Sequence, residues 1–168
     1  MAAWEFQTLQ NIAARNGWHR FICMQNYHNL LGREEEREMI PYCVDTGVGL
    51  IPWSPMARGV LARPWDSGST LRENTDGALK LLIRSRETEA DKTIVNRVQE
   101  IAKKKGVSMA QVAIAWSLQN PNEYPILGLN KKERIDEAVA AIKVKLTADE
   151  VKYLEEPYVP KGLTALER

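Results

Sequence analysis

The chain has 168 residues, 44% hydrophobic and 27% charged, which is enough to bury a core and unlike a disordered segment. Its 23 Lys and Arg against 22 Asp and Glu leave a net charge of +1, so no electrostatic footprint for nucleic acid or acidic lipid exists. The apolar runs are far too short to cross a bilayer and no charged-then-apolar leader is visible, so the sequence predicts no membrane and no nucleic-acid partner for a cytoplasmic protein.

Residues 4–16 place Phe6, Leu9 and Ala13 at helical spacing and Gly17 follows as a C-terminal signal, which predicts a first helix. Phe21 to Gln25 is a short apolar run that suits a strand buried on both faces. Arg33 to Asp45 reads as a helix with Met39, Ile40 and Cys43 inward and the charges of Arg33 to Glu38 on a solvated face. Val48 to Trp53 predicts a second buried strand, whose ladder Pro52 should end because proline has no donor. The next stretch, to about Ala90, carries Gly59, Pro64, Gly68 and Gly77; residues 58–90 are read as a long loop or lid, with a short helix over 78–84.

Asp91 to Lys105, ending in basic residues and Gly106, predicts a long helix, and Ser108 to Gln111 opens another as a capping box. Pro125 to Gly128 is a short third strand. Asn130 should cap the helix that follows, and Thr147 with Glu150 should cap a last helix stopped near Pro157. Cys23 and Cys43 are too few for a disulfide scaffold and lack metal-site spacing, so both are expected in the core. The order predicts parallel α/β, either a doubly wound sheet or part of a (β/α)₈ barrel.

Both architectures bind ligands at the C-terminal ends of their strands. Those ends carry Gln25-Asn26-Tyr27-His28-Asn29, Trp53-Ser54-Pro55-Met56-Ala57-Arg58-Gly59, and Gly128-Leu129-Asn130 ahead of a helix. The Gln25 amide could pair with a carboxamide, the Trp53 indole could stack on a flat ring, and the amides after Gly128 could receive phosphate oxygens. The plainer readings are a loop cap for Gln25, core for Trp53 and a helix cap for Asn130. His28 has no triad partner at a recognisable spacing and is read as a polar turn residue. No glycine-rich phosphate loop is present.

These motifs resemble the aldo-keto reductases, in the branch of the aryl-alcohol-type fungal reductases and the potassium-channel β subunits. The resemblance runs through Met24 to Leu31, Arg33 to Pro41 and Gly49 to Gly59, fades between about Trp65 and Glu87, and resumes from Thr88 to Tyr158. It implies a (β/α)₈ barrel that binds NADP(H) and reduces a small-molecule aldehyde or ketone by hydride transfer. This chain would be an incomplete domain spanning residues 1–168, the C-terminal part with about strands six to eight. By position, Gln25 would hold the nicotinamide carboxamide, Trp53 would stack on its ring, and Ser54, Pro55, Met56, Ala57 and Arg58 would line the pyrophosphate side. Gly128, Asn130 and Arg134 would lie around the adenosine phosphates and Glu137 at the adenine; Arg134, always charged, would favour a 2′-phosphate. The family's catalytic Asp, Tyr, Lys and His belong to earlier strands, so no catalytic residue is assigned. Without a proton donor the piece alone is expected to have very low activity, and the exposed edges of three strands predict low stability and self-association, or else a non-catalytic module that pairs with another chain.

Overall fold

A computed structural model describes residues 1–67, 75 and 77–162. Helix α1 (Ala3–Arg15) starts where the Glu5 carboxylate accepts from the Ala2 N–H at 2.8 Å, and it buries Phe6, Gln10 and Ala13. Leu9, expected inward, is exposed, because Gln10 takes the inward position. The Gln10 amide donates to the Phe21 carbonyl (2.9 Å) and accepts from the Phe21 N–H (2.8 Å). It thereby serves the backbone of the chain entering the first strand as a neighbouring strand would.

Strand β1 (Cys23–Met24) pairs in parallel with β2 (Gly49–Leu50), Cys23 opposite Gly49 and Met24 opposite Leu50. On the far side of β2, parallel bridges join Leu50 to Glu123 and Trp53 to Ile126, so residues 123–126 form the third member of the sheet. The predicted stop at Pro52 does not occur: Ile51 and Trp53 donate to Met24 and Asn26 at 2.9 Å each, while the Pro52 carbonyl accepts from Ile126 at 2.8 Å. Proline here removes a single donor on the side facing the third segment and leaves the ladder towards β1 intact.

The predicted helix over residues 33–45 divides into a 3₁₀ turn (Glu34–Glu36) and α2 (Met39–Thr46), separated where Glu38 leaves helical geometry at φ −140°. Gly47, at φ +72°, ends α2 in the left-handed conformation that a side chain would oppose. The long connection after β2 holds a 3₁₀ stretch (Ala57–Ala62), then α3 (Gly77–Leu82) and a 3₁₀ turn (Arg84–Arg86). Leu79 and Ile83 are buried in the main core, which explains the apolar spacing of this stretch; Gly68 lies outside the described residues.

Helices α4 (Glu89–Lys105), α5 (Met109–Ser117), α6 (Lys132–Ala140) and α7 (Ala148–Glu155) complete the chain. Thr88 with Asp91, Ser108 with Gln111 and Thr147 with Glu150 form reciprocal capping boxes. The main core gathers Ile94, Val98 and Ile101 of α4, Val112 and Trp116 of α5, and Val60 and Leu61 of the long connection. A second cluster of Phe6, Met39, Cys43, Val48 and Leu50 seats α1 and α2 on one face of the sheet.

The other face is bare, which corrects the expectation of strands buried on both sides. On that face Tyr124 is 66% exposed and Ile126 43%, and Cys23 is exposed too, while Cys43 is buried as expected. No described element packs over that face, so side chains that alternate to it meet solvent. The fold is α/β with a small open parallel sheet. None of its described helices is long and apolar enough to cross a membrane.

Candidate functional site

The parallel segments end side by side. Trp53 bridges Tyr27 on one flank and Ile126 on the other, so Gln25, Trp53 and Gly128 emerge along one edge of the sheet, at its C-terminal ends. Gln25 is exposed and Trp53 half-buried. The Trp53 ring rests on Tyr27, with centroids 4.6 Å apart and planes tilted by 44°. Tyr27 in turn lies against Gly32, where a Cβ would run into its ring. Gly32 and Asn29 exchange both backbone hydrogen bonds (3.2 and 3.0 Å), which makes a tight turn with buried Leu30 and Leu31 at its tip. The support under Trp53 therefore needs glycine at position 32, a requirement the sequence reading does not single out.

The loop after Trp53 has an uncommon backbone. Ser54, Ala57 and Arg58 lie at φ +57°, +47° and +53° and Gly59 at +100°; among the described residues only one other non-glycine, Asn122, has positive φ. The left-handed conformation costs a residue with a side chain roughly 1–2 kcal/mol, and such strain gathers at functional sites. Turns of this kind aim peptide N–H groups into a concavity that suits an anion. The Ala57 N–H donates to the Ser54 carbonyl at 2.8 Å, and the Gly59 and Leu61 N–H groups donate to Met56 at 2.9 and 3.2 Å. Pro55 and Ala57 are buried, and Met56 packs between the main core and the cluster beneath α6. The loop residues that reach solvent are the half-exposed Ser54, Met56, Arg58 and Gly59.

Beyond the third segment, Gly128 and Asn130 are exposed. Asn130 does not cap α6: Lys131 is the residue before the first turn, in extended geometry and without a side-chain cap bond, because the helix starts one position later than its polar run implies. On α6 Arg134 is exposed and Glu137 half-buried, its carbonyl accepting from the Gln111 amide at 3.1 Å. The structure thus brings Gln25, Trp53, the 54–58 loop and Gly128 to one edge. It sets Arg134 and Glu137 on the adjoining helix, joined to the loop through Met56.

Behind this edge lies a buried polar ring that corrects two expectations. His28, read as a polar turn residue, is 1% exposed and hydrogen-bonded at both ring nitrogens, to Glu123 (2.9 Å) and Glu36 (3.0 Å). Glu36 also accepts from Arg33 at 2.7 and 2.8 Å, Arg33 donates to Glu155 at 3.1 Å, and Glu155 accepts from the Trp116 indole N–H at 2.8 Å. Glu123 accepts from the Ser117 hydroxyl, and since Trp116 and Ser117 are consecutive on α5 the contacts close on themselves. Burial alone would lower the His28 pKa, but its bonds to Glu123 and Glu36 outweigh that and raise it from 6.5 to about 9. Burial would raise Glu36, yet His28 and Arg33 hold it down at about 2.

The run from Arg33 to Glu38 is therefore a solvated face only in part: Arg37 and Glu38 are exposed, and the other four are not. Glu34 and Glu35 are buried, and Glu34 accepts from the Tyr158 hydroxyl (2.8 Å) and the Lys161 backbone N–H (2.7 Å) while pairing with Arg37 (2.9 Å). Lys161 also forms a nearly buried ion pair with Asp91 at 2.7 Å. Glu34 and Asp91 sit inside because distant parts of the chain bring them partners.

Comparison with known proteins decides what carries this edge. The sequence pattern of the Aldo/keto reductase family matches residues 2–158. The chain belongs to the aldo-keto reductase family. It is 73% identical over 168 residues to the versiconal hemiacetal acetate reductase of Aspergillus parasiticus, covering all of this chain and 49% of that protein. Over 162 residues it is 56% identical to a Schizosaccharomyces pombe protein that carries an aryl-alcohol dehydrogenase name, covering 95% of this chain and 45% of that one. An aldo-keto reductase of Metarhizium robertsii is 48% identical over 164 residues, 97% of this chain and 44% of its own length. The chain spans about half the length of the curated relatives it matches. Aldo-keto reductases are (β/α)₈ barrels and generally use NAD(P)H. A small open parallel sheet with helices on one face is consistent with part of such an aldo-keto reductase barrel.

Proposed function

We propose that this chain forms the cofactor-side part of an NADP(H)-dependent aldo-keto reductase, with β1, β2 and residues 123–128 as strands six to eight of the barrel. Residues 58–90 would act as a loop or lid beside the site, in a cytoplasmic enzyme. The observation that carries the reading is the meeting of an exposed amide, a half-exposed indole and a strained left-handed loop at one sheet edge. These groups fit the cofactor chemically. Gln25 offers a donor and an acceptor to a carboxamide, Trp53 a flat face to a ring, and the 54–58 loop, apart from Pro55 and the engaged Ala57 N–H, peptide N–H groups with the Ser54 hydroxyl and the Arg58 guanidinium to a pyrophosphate. Gly128, Asn130 and Arg134 suit the adenosine phosphates and Glu137 the adenine, with the Arg134 guanidinium selecting a 2′-phosphate.

When bound, NADPH supplies the hydride for reducing an aldehyde or ketone. The aryl-alcohol dehydrogenase name among the relatives favours an aromatic aldehyde as substrate. This chain's residues bind and orient; none is assigned to protonate the carbonyl oxygen, so turnover by these 168 residues alone is expected to be very low. Titrating NADPH should quench the wild-type fluorescence and leave the Trp53→Phe variant, which keeps the other tryptophans, nearly unaffected. No response at millimolar NADPH would refute the reading.

A second reading rests on the bare sheet face, where Cys23, Tyr124 and Ile126 are exposed. Apolar side chains beside an unpaired strand edge favour pairing with a second copy of the chain in a non-catalytic assembly. Sedimentation should then show a concentration-dependent dimer that Tyr124→Lys weakens.

A further inference from the structure

Behind the proposed cofactor loop stands a residue that no ligand could reach. Asn29 is fully buried, and its amide is used at both ends. Its Oδ1 accepts from the Leu31 N–H at 2.9 Å, while its Nδ2 donates to the Ser54 carbonyl at 3.1 Å, across 25 positions of sequence. That carbonyl also accepts from the Ala57 N–H at 2.8 Å. Both bonds thus converge on the oxygen that opens the left-handed run at Ser54, Ala57 and Arg58.

We propose that Asn29 is the positioning residue that holds the 54–59 loop in its left-handed, anion-receiving shape. The part of the proposal concerning a ligand rests on the cofactor reading above. The base from which Asn29 acts is immobile. Its own N–H and C=O are exchanged with Gly32, and the preceding His28 is fixed at both ring nitrogens. The Ser54 backbone, strained at φ +57°, has no glycine to relax it and needs an external hold. A simpler role for asparagine, closing a turn onto the N–H two residues on, uses only Oδ1 and would be met equally by aspartate. The Nδ2 contact with a separate loop lies outside that role, and only the amide supplies donor and acceptor together.

The test uses the full chain with Asn29→Asp, which keeps the turn acceptor and turns the donor into a second acceptor facing the Ser54 carbonyl. Since that variant also buries a charge, Asn29→Ser, which retains a turn-closing hydroxyl too short to reach Ser54, is measured beside it. Amide hydrogen exchange at residues 54–59 should speed up about tenfold in both variants, as expected for loss of one buried hydrogen bond, while the helix Glu89–Lys105 keeps its protection. Affinity for NADPH should fall about tenfold, and affinity for adenosine 2′,5′-bisphosphate, which reaches only the Gly128 to Glu137 side, should stay within about twofold. Unchanged exchange at 54–59, or a parallel weakening of both ligands together with general loss of protection, would overturn the proposal. If the wild type binds neither ligand while the exchange difference appears, the cofactor reading falls and the hold of Asn29 on the loop stands.

Discussion

The ring around His28 ties stability to pH in a direction that can be worked out. The folded state holds the His28 pKa at about 9 where an unperturbed histidine has 6.5. Folding therefore retains, up to about pH 9, a proton that the unfolded chain releases around pH 6.5. The contribution is fully present below pH 6.5, shrinks from there to pH 9 and is gone above it. Its full size corresponds to roughly 3 kcal/mol, a large share of the stability of an ordinary domain. Because the same bonds hold Glu36 down, the histidine and carboxylate shifts describe one interaction and are not added. Urea unfolding followed by tryptophan emission between pH 6 and 9.5 would measure it. The wild-type midpoint should fall steadily across that range, and His28→Gln, destabilised at every pH, should give a nearly flat profile. A wild-type profile as flat as that of the variant would show that His28 is neutral in the folded protein and would refute the charge assignment.

Three further outcomes are expected. On the acid side Glu36, held at about 2 against an ordinary 4.5, contributes stability that is present above pH 4.5 and is lost as pH falls towards 2; Glu36→Gln should flatten that limb of the same unfolding curve. Gly32→Ala drives a Cβ into the Tyr27 ring and should cost about 1–3 kcal/mol while shifting the emission of Trp53, which leans on that ring; an unaltered spectrum would mean the rings are not stacked in solution. Lys161→Ala leaves Asp91 buried without its partner and should lower stability by about 3 kcal/mol, with proteolysis after residue 157 becoming faster.

Features decided by neighbouring residues could be read from the sequence. The capping boxes at Ser108 and Thr147 and the parallel order of the apolar segments are present in the structure, since caps and periodicity act within a turn or a strand. The strand-end cluster of Gln25, Trp53 and Gly128 was legible for the same reason: apolar runs reveal where they stop. What escaped depended on partners far along the chain. Nothing near His28 announces Glu123, and nothing in Arg33-Glu34-Glu35-Glu36 shows that three of its charges find Glu155, Tyr158 and His28. Cys23 looks like core by composition, yet no described element covers the face it occupies. Asn29 reads as a turn residue, and only its reach to Ser54 gives it more to do.

The closed ring also bears on the order in which this chain can become native. The bond from His28 to Glu123 spans 95 residues and that from Arg33 to Glu155 spans 122. Contacts so distant in sequence form late, because long loops must close before any of them rewards the closure. During synthesis, the segment that carries His28, Arg33 and Glu36 leaves the ribosome well before the helix bearing Glu155, and until then its charges must stay in water. The strand ends that present Gln25 and Trp53 therefore gain the support of the closed ring only after α7 has been made.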